Sequence, residues 1–260
     1  MLVLLNNLIV DIPEFSDRRF EDGFSIYEVI RIFKGKPLFF KDNVLRLENS
    51  IKKSNIDIDC SNIHLIDKIS ELIRLNNIEE GNVKYVLHST KGKVDEYLYE
   101  IHSSYPSGVD YMQGVNVISL RAERENPEIK YINTELRALT DNLIRKKNVY
   151  EIVLINHMGN VTEGSRSNIF FIKKDALYTA PLYQVLAGTS RKRVIDICNQ
   201  DSFALHEEEI PYASLKDFDS AFITGTSPLI LPIRKLDDME FDVDNSLLRK
   251  LMSIYFSKLE

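Results

Sequence analysis

The sequence predicts an α+β fold in two halves, and three observations carry that prediction. Short hydrophobic runs come in groups and are followed by stretches of helical spacing, not by a strict strand–helix–strand alternation. A turn-rich segment, Ser103-Ser-Tyr-Pro-Ser-Gly108, breaks the pattern and divides the chain unevenly. Beyond it, Val161-Thr-Glu-Gly-Ser-Arg-Ser-Asn-Ile-Phe-Phe171 sets an acid, a glycine and small polar side chains beside hydrophobic runs. Those runs, Ile152-Val-Leu-Ile155 and Ile169-Phe-Phe-Ile172, read as buried strands, and the polar octet reads as a tight connection between them. The expected division is a small N-terminal α/β domain over residues 1–105, a linker at 106–112 and a larger mixed domain over 113–260.

Met1-Leu-Val-Leu-Leu5 reads as a first strand, being too short and lacking the basic start of a signal peptide. Residues 26–33 form a second, with Lys34-Gly35-Lys36 as a turn and Pro37-Leu-Phe-Phe40 returning. Asp42 is the expected N-cap of a helix carrying Val44, Leu45, Leu47 and Ile51. Ser61 is the expected cap of a second, with Ile63, Ile66, Ile69, Leu72 and Ile73 at helical spacing. Residues 82–89 and 96–102 pair across Lys91-Gly92-Lys93. After the linker come a strand at 115–120, a helix at 133–147 and the strands around the octet. A helix opens at Gly188-Thr-Ser-Arg191 and runs to Cys198. A strand at 221–224 and a terminal helix from Asn245 complete the order.

The bulk composition narrows the function classes. Among 260 residues, 44% are hydrophobic and 28% charged, the ordinary balance of a globular protein. A net charge of −6 leaves no basic excess to grip a nucleic-acid backbone. No run of about 20 apolar residues offers a membrane span. Two isolated cysteines, Cys60 and Cys198, fit reduced thiols in the cytoplasm and show no metal spacing.

Four polar groups are candidates for chemistry: Lys130, the Glu163 carboxylate, the hydroxyl-rich segments at 188–191 and 224–228, and Arg46. Lys130 lies between Ile129 and Tyr131, where burial favours the neutral, nucleophilic amine. Gly188-Thr189-Ser190-Arg191 offers hydroxyls and backbone N–H groups at a helix start, which suit a phosphate dianion. Thr224-Gly-Thr-Ser-Pro228 offers a second such set. Arg46 presents a planar fork for phosphate oxygens. Singly, each also reads as something ordinary: a solvated lysine, a helix cap, a turn, a surface arginine.

In order and spacing, however, Tyr27-Glu28, Arg46, Lys130, the Thr162–Asn168 loop, Gly188–Arg191 and Thr224–Ser227 resemble the fold-type IV (class IV) aminotransferases over nearly the whole chain. The resemblance implies their two-domain fold, pyridoxal 5′-phosphate as cofactor, and a homodimer. It implies that Lys130 joins the cofactor aldehyde and shuttles the substrate Cα proton. It implies that Glu163 binds the ring nitrogen, whose proton the electron sink requires. Gly188, Thr189, Ser190 and Arg46, with Thr226 or Ser227, then hold the phosphate. Tyr27 and Arg31 are candidates to face substrate, and Arg31, Lys91, Lys93, Arg121, Arg124 and Arg166 are candidate partners for its carboxylate, with plain surface exposure the alternative for each. The chain departs from many members of the family in having Gly23-Phe24-Ser25 where they carry G-D-G, and from the D-amino-acid transaminases in lacking an Arg/His pair at the turn Thr90–Lys93, which counts against D-specificity. The first expectation is transamination between an amino acid and a 2-oxo acid. The second is aminodeoxychorismate lyase, which releases pyruvate to give 4-aminobenzoate. A third is an inactive, family-like binding protein. The substrates are small molecules in each case, with no nucleic-acid or membrane partner and no metal.

Overall fold

Two-residue turns explain the first sheet. A computed structural model describes residues 2–12, 17–54, 56–60 and 63–259. At Lys34-Gly35 both residues have positive φ (51° and 68°), and the same holds at Lys91-Gly92 (51° and 81°). That is the twist a tight antiparallel hairpin demands. The strands are β1 (Leu2–Leu5), β2 (Leu8–Asp11), β3 (Phe24–Phe33), β4 (Lys36–Pro37), β5 (Gly81–Thr90) and β6 (Lys93–Ile101), ordered β2-β1-β6-β5-β3-β4. Helices α1 (Phe40–Lys53) and α2 (Leu65–Asn76) supply Leu47, Ile51, Leu65, Ile69 and Leu72 to a core shared with Ile26, Ile30, Ile32, Val83, Tyr85 and Leu87 of β3 and β5. Each such aliphatic side chain contributes about 1.5–3 kcal/mol by leaving water. Alternation then places Ser25, Tyr27, Val29 and Arg31 on the opposite face, in register with His88, Val86, Lys84 and Asn82.

Three local expectations change. The returning strand after Gly35 is only two residues long, because Phe39 turns left-handed (φ 52°) and starts α1 at Phe40. Asp42 is therefore not the cap of α1; it lies buried in the first turn, and Phe39 occupies the cap position without a side-chain bond. Helix α2 begins at Leu65 behind a left-handed His64, leaving Ile63 outside it. The expected cap Ser61 lies outside the described residues, as does Met1.

The chain divides into two compact units, residues 1–104 with 129–134, and residues 105–128 with 135–260. The returning segment 129–134 runs beside β3: Tyr27 N–H donates to Lys130 C=O (2.9 Å) and Ile132 N–H to Ser25 C=O (2.8 Å).

The second unit opens with α3 (Gly108–Gln113), a short helix in the expected linker. Ser107 and Asp110 close it with a reciprocal capping box. Its sheet contains β7 (Val115–Arg121), β8 (Glu151–Ile155), β9 (Asn160–Gly164), β10 (Asn168–Lys173), β11 (Ala176–Thr179), β12 (Ala204–Glu207), β13 (Ile210–Pro211), β14 (Ser220–Gly225) and β15 (Leu229–Leu236), with β16 (Met239–Glu240) on β15. The order is β12-β11-β10-β14-β15-β7-β8-β9-β13, mixed parallel and antiparallel. Helices α4 (Thr134–Lys147), α5 (Thr189–Gln200) and α6 (Ser246–Ser257) accompany it. Asn245 caps α6 by accepting from Leu247 and Leu248 N–H. The octet is only partly a connection. Val161–Gly164 belong to β9, reached from β8 through the turn at 156–159, and Ser165–Ser167 alone join β9 to β10.

Candidate active site

In the first unit, the segment beside β3 presents Lys130 on the face opposite the helices. Lys130 is half-buried; its backbone N–H donates to Ser50 Oγ of α1 (3.2 Å), and its Nζ lies 4.7 Å from the centre of the Tyr27 ring. A second amine shares that ring. Lys84 Nζ is also 4.7 Å from its centre, and Lys84 is buried. Arg31 stands on the same face and pairs with Glu80 (3.6 Å). Lys130 and Tyr27 are therefore brought together, Lys84 joins them unforeseen, and Arg31 lies farther along the same face of β3. Its signal in the sequence was a charge inside the strand Val83-Lys84-Tyr85-Val86, which is otherwise apolar.

Arg46 does not lie on the surface. It projects from α1 onto the fully buried Glu28, donating from Nε to Oε1 (2.8 Å) and from Nη2 to Oε2 (2.6 Å), while Asn43 Nδ2 donates to Oε2 (2.9 Å). Burial alone would draw the guanidinium downward; the ion pair and hydrogen bonds to Glu28 outweigh it, and the net shift is upward.

In the second unit the octet divides its work. Glu163 is buried, and its Oε1 accepts from Arg124 Nε (2.8 Å). Its Oε2 accepts from Leu186 N–H (3.1 Å) and, at 3.5 Å, from Asn168 Nδ2. Arg124, expected among the substrate's partners, is thus engaged with the octet and also donates to Ser165 C=O (3.2 Å). Lys91, Lys93, Arg121 and Arg166 are exposed. Ser165 and Ser167 turn inward to Glu151, a buried carboxylate at the start of β8. Asn168 donates to Leu186 C=O (3.0 Å) and pairs in register with Thr224. It thereby ties β9, the segment before α5 and the end of β14 together.

Gly188 precedes α5, and no side chain caps that helix. A Cβ at Gly188 would collide with Asn168 Oδ1, so this close approach requires glycine. Thr189 and Ser190 are buried in the first turn, Ser190 beside the Tyr255 hydroxyl. Burial pushes Tyr255 up to about 12. Thr226 and Ser227 are half-buried in the turn after β14. The Thr224 hydroxyl is fully buried and has no hydrogen-bond partner. Thr224 stood in the motif that sequence reading selected, yet only burial distinguishes it from Thr226 and Ser227.

These features fit a phosphorylated pyridine ring. A carboxylate offers about four acceptor sites, and the bonds from Arg124, Leu186 and Asn168 to Glu163 leave room for a ring N–H. The uncapped start of α5 and the unsatisfied Thr224 hydroxyl suit phosphate oxygens. Among the described residues, no group of three or more His, Cys, Asp or Glu side chains is arranged to hold a metal. No described helix is long and apolar enough to cross a membrane.

Comparison with known proteins agrees. The family model described as amino-transferase class IV matches residues 25–236. D-alanine aminotransferase of Bacillus licheniformis is 26% identical over 256 residues, covering 91% of this chain and 89% of that protein. A putative branched-chain-amino-acid aminotransferase of Methanocaldococcus jannaschii is 29% identical over 259 residues, covering 91% and 88%. Among solved structures, a putative 4-amino-4-deoxychorismate lyase from Legionella pneumophila superposes with a TM-score of 0.83 at 24% identity, covering 96% of each chain. The branched-chain aminotransferase of Thermoproteus uzoniensis gives 0.84 at 23%, covering 98% of this chain and 93% of that one. The fold is shared, the family match spans most of the sequence, and this chain belongs to the class IV aminotransferases, enzymes that use pyridoxal 5′-phosphate.

Proposed function

We propose that this enzyme transfers an amino group between an amino acid and a 2-oxo acid. The observation that carries the proposal is the half-buried Lys130, whose amine lies over the Tyr27 ring with the cationic side chains Lys84 and Arg31 on the same sheet face. A reacting amine beside cations suits a substrate whose carboxylate sits one carbon from its nitrogen.

When bound, pyridoxal phosphate supplies an aldehyde that condenses with amines and a protonated ring that draws electrons from the substrate carbon. Lys130 Nζ would serve as the base that takes the proton from the substrate Cα. Glu163 holds the ring N–H, and Arg124 and Leu186 N–H keep its carboxylate oriented. The N–H groups at the start of α5, the hydroxyls of Thr189, Ser190 and Thr224, and those of Thr226 or Ser227 bind the phosphate. Arg46, kept charged by Glu28, adds its positive charge. Tyr27 positions the amine, while Arg31 and Lys84 receive carboxylates. We place the enzyme in the cytoplasm on its two free thiols, and expect the family's homodimer.

The test is an amino-donor screen with 2-oxoglutarate and pyruvate as acceptors, run beside an assay that feeds aminodeoxychorismate without acceptor. Donor-dependent conversion of the acceptor supports transamination. Pyruvate formed from aminodeoxychorismate alone, with no donor active, replaces it with the lyase.

A further inference from the structure

We propose that Glu151 is a positioning residue for the cofactor site, bracing Gly164–Ser167 so that Glu163 on one side and the turn at 224–227 on the other keep their places. The inference rests on the role proposed above for Glu163.

Glu151 is 2% exposed, and each carboxylate oxygen accepts two hydrogen bonds. Oε1 takes Ile152 N–H (2.8 Å) and Ser165 Oγ (2.6 Å); Oε2 takes Arg166 N–H (3.2 Å) and Ser167 Oγ (2.9 Å). Those four donors use about all the acceptor sites a carboxylate has. Nothing is left for a ligand, so its action is on the loop. The loop wraps it closely. A Cβ at Gly164 would collide with Ser167 Oγ and press on Glu151 Cγ and Cδ. Two backbone bonds close the same turn, Gly164 N–H to Ser167 C=O and Ser165 N–H to Ile152 C=O, each 2.8 Å.

What the brace holds lies on both sides. Glu163 immediately precedes Gly164, and Arg124 reads both positions at once, through Glu163 Oε1 and Ser165 C=O. On the other side, a Cβ at Gly225 would stand 3.5 Å from Arg166 C=O, so the loop abuts the turn after β14. A glutamine at 151 keeps the volume, but its NH2 faces donors where an oxygen accepted. Aspartate keeps four acceptor sites on a shorter stem.

The experiment compares wild type with Glu151→Gln, Glu151→Asp and Ser167→Ala. Its readouts are cofactor dissociation constant, the pH dependence of the bound cofactor's visible band, kcat and KM separately, and thermal stability without cofactor. Glu151→Gln is expected to weaken cofactor binding about 10-fold to 100-fold and to move the band's pH midpoint. It is expected to lower kcat while leaving the donor KM within about 2-fold, since only cofactor-side geometry changes. Glu151→Asp should recover part of each loss, and Ser167→Ala should show a smaller one. A Glu151→Gln protein that loses thermal stability alone, with wild-type affinity, band titration and kcat, overturns the proposal. Should Glu151→Gln not fold, Ser165→Ala and Ser167→Ala decide the matter on the same readouts. Wild-type protein that binds no pyridoxal phosphate would fail earlier, at the proposed function, and take this inference with it.

Discussion

Removing either half of the Glu28–Arg46 pair is expected to destabilise the first unit far more than removing both. Glu28 is fully buried and Arg46 7% exposed, with two direct bonds of 2.8 and 2.6 Å between them. Glu28 is sealed from water and Arg46 nearly so, so a single deletion leaves a buried charge whose solvation is not replaced. Such losses run to about 3–5 kcal/mol. For a chain of this length about 2 °C accompanies each kcal/mol, so Arg46→Met and Glu28→Leu should each lower Tm by about 6–10 °C. The double variant removes both charges and fills the space with apolar atoms. Asn43 then loses one acceptor but keeps Val29 C=O at 3.3 Å. The double loss should therefore be only about 1–2 kcal/mol, a strong negative departure from additivity. Denaturant unfolding of cofactor-free protein measures all four species, and leaving cofactor out separates folding from any part Arg46 plays in phosphate binding. Single losses below about 1 kcal/mol, or a double loss equal to their sum, would refute the reasoning.

The remaining predictions concern the second unit, the last of them with Cys60 of the first unit as its comparison. Thr224→Val deletes a buried hydroxyl that has no partner, so the cofactor-free protein should be as stable as wild type or slightly more so, while cofactor affinity falls about 5-fold to 10-fold; paired melts with and without pyridoxal phosphate read both signs, and a destabilised cofactor-free variant contradicts the assignment. Gly188→Ala drives a methyl into Asn168 Oδ1 and should cost about 1–3 kcal/mol of stability together with cofactor retention, a result lost if the variant keeps both. Burial raises the Cys198 thiol to about 11, whereas an unfolded thiol sits near 9. Because the folded value is the higher one, this contribution to stability is intact below about pH 9 and disappears as pH climbs towards 11. Thiol labelling at neutral pH should accordingly reach the half-buried Cys60 first and Cys198 only as the protein unfolds; equal rates for the two would show otherwise.

The order of strands and helices was legible because hydrophobic period survives translation into structure at long, regular segments such as β5 and α2. The family was legible for a different reason: the motifs around Lys130, Glu163 and Gly188 keep a recognisable order, and the family match spans residues 25–236. Cap positions were not legible at α1 and α2, because the chain enters both through left-handed residues, Phe39 and His64, that carry no capping side chain. Nor could the sequence say that the two octet serines serve Glu151, that Arg46 is held by Glu28, or that Thr224 is the buried hydroxyl of its turn. A hydrogen bond across 14 or 18 residues depends on strand register and helix placement, which pairwise spacing does not encode. The sequence by itself determined which chemistry this chain is equipped for. Tertiary structure alone decided which polar groups are consumed in holding one another and which, like the Thr224 hydroxyl, are buried without a partner, since a buried donor or acceptor must find its partner in space, wherever the chain has carried it.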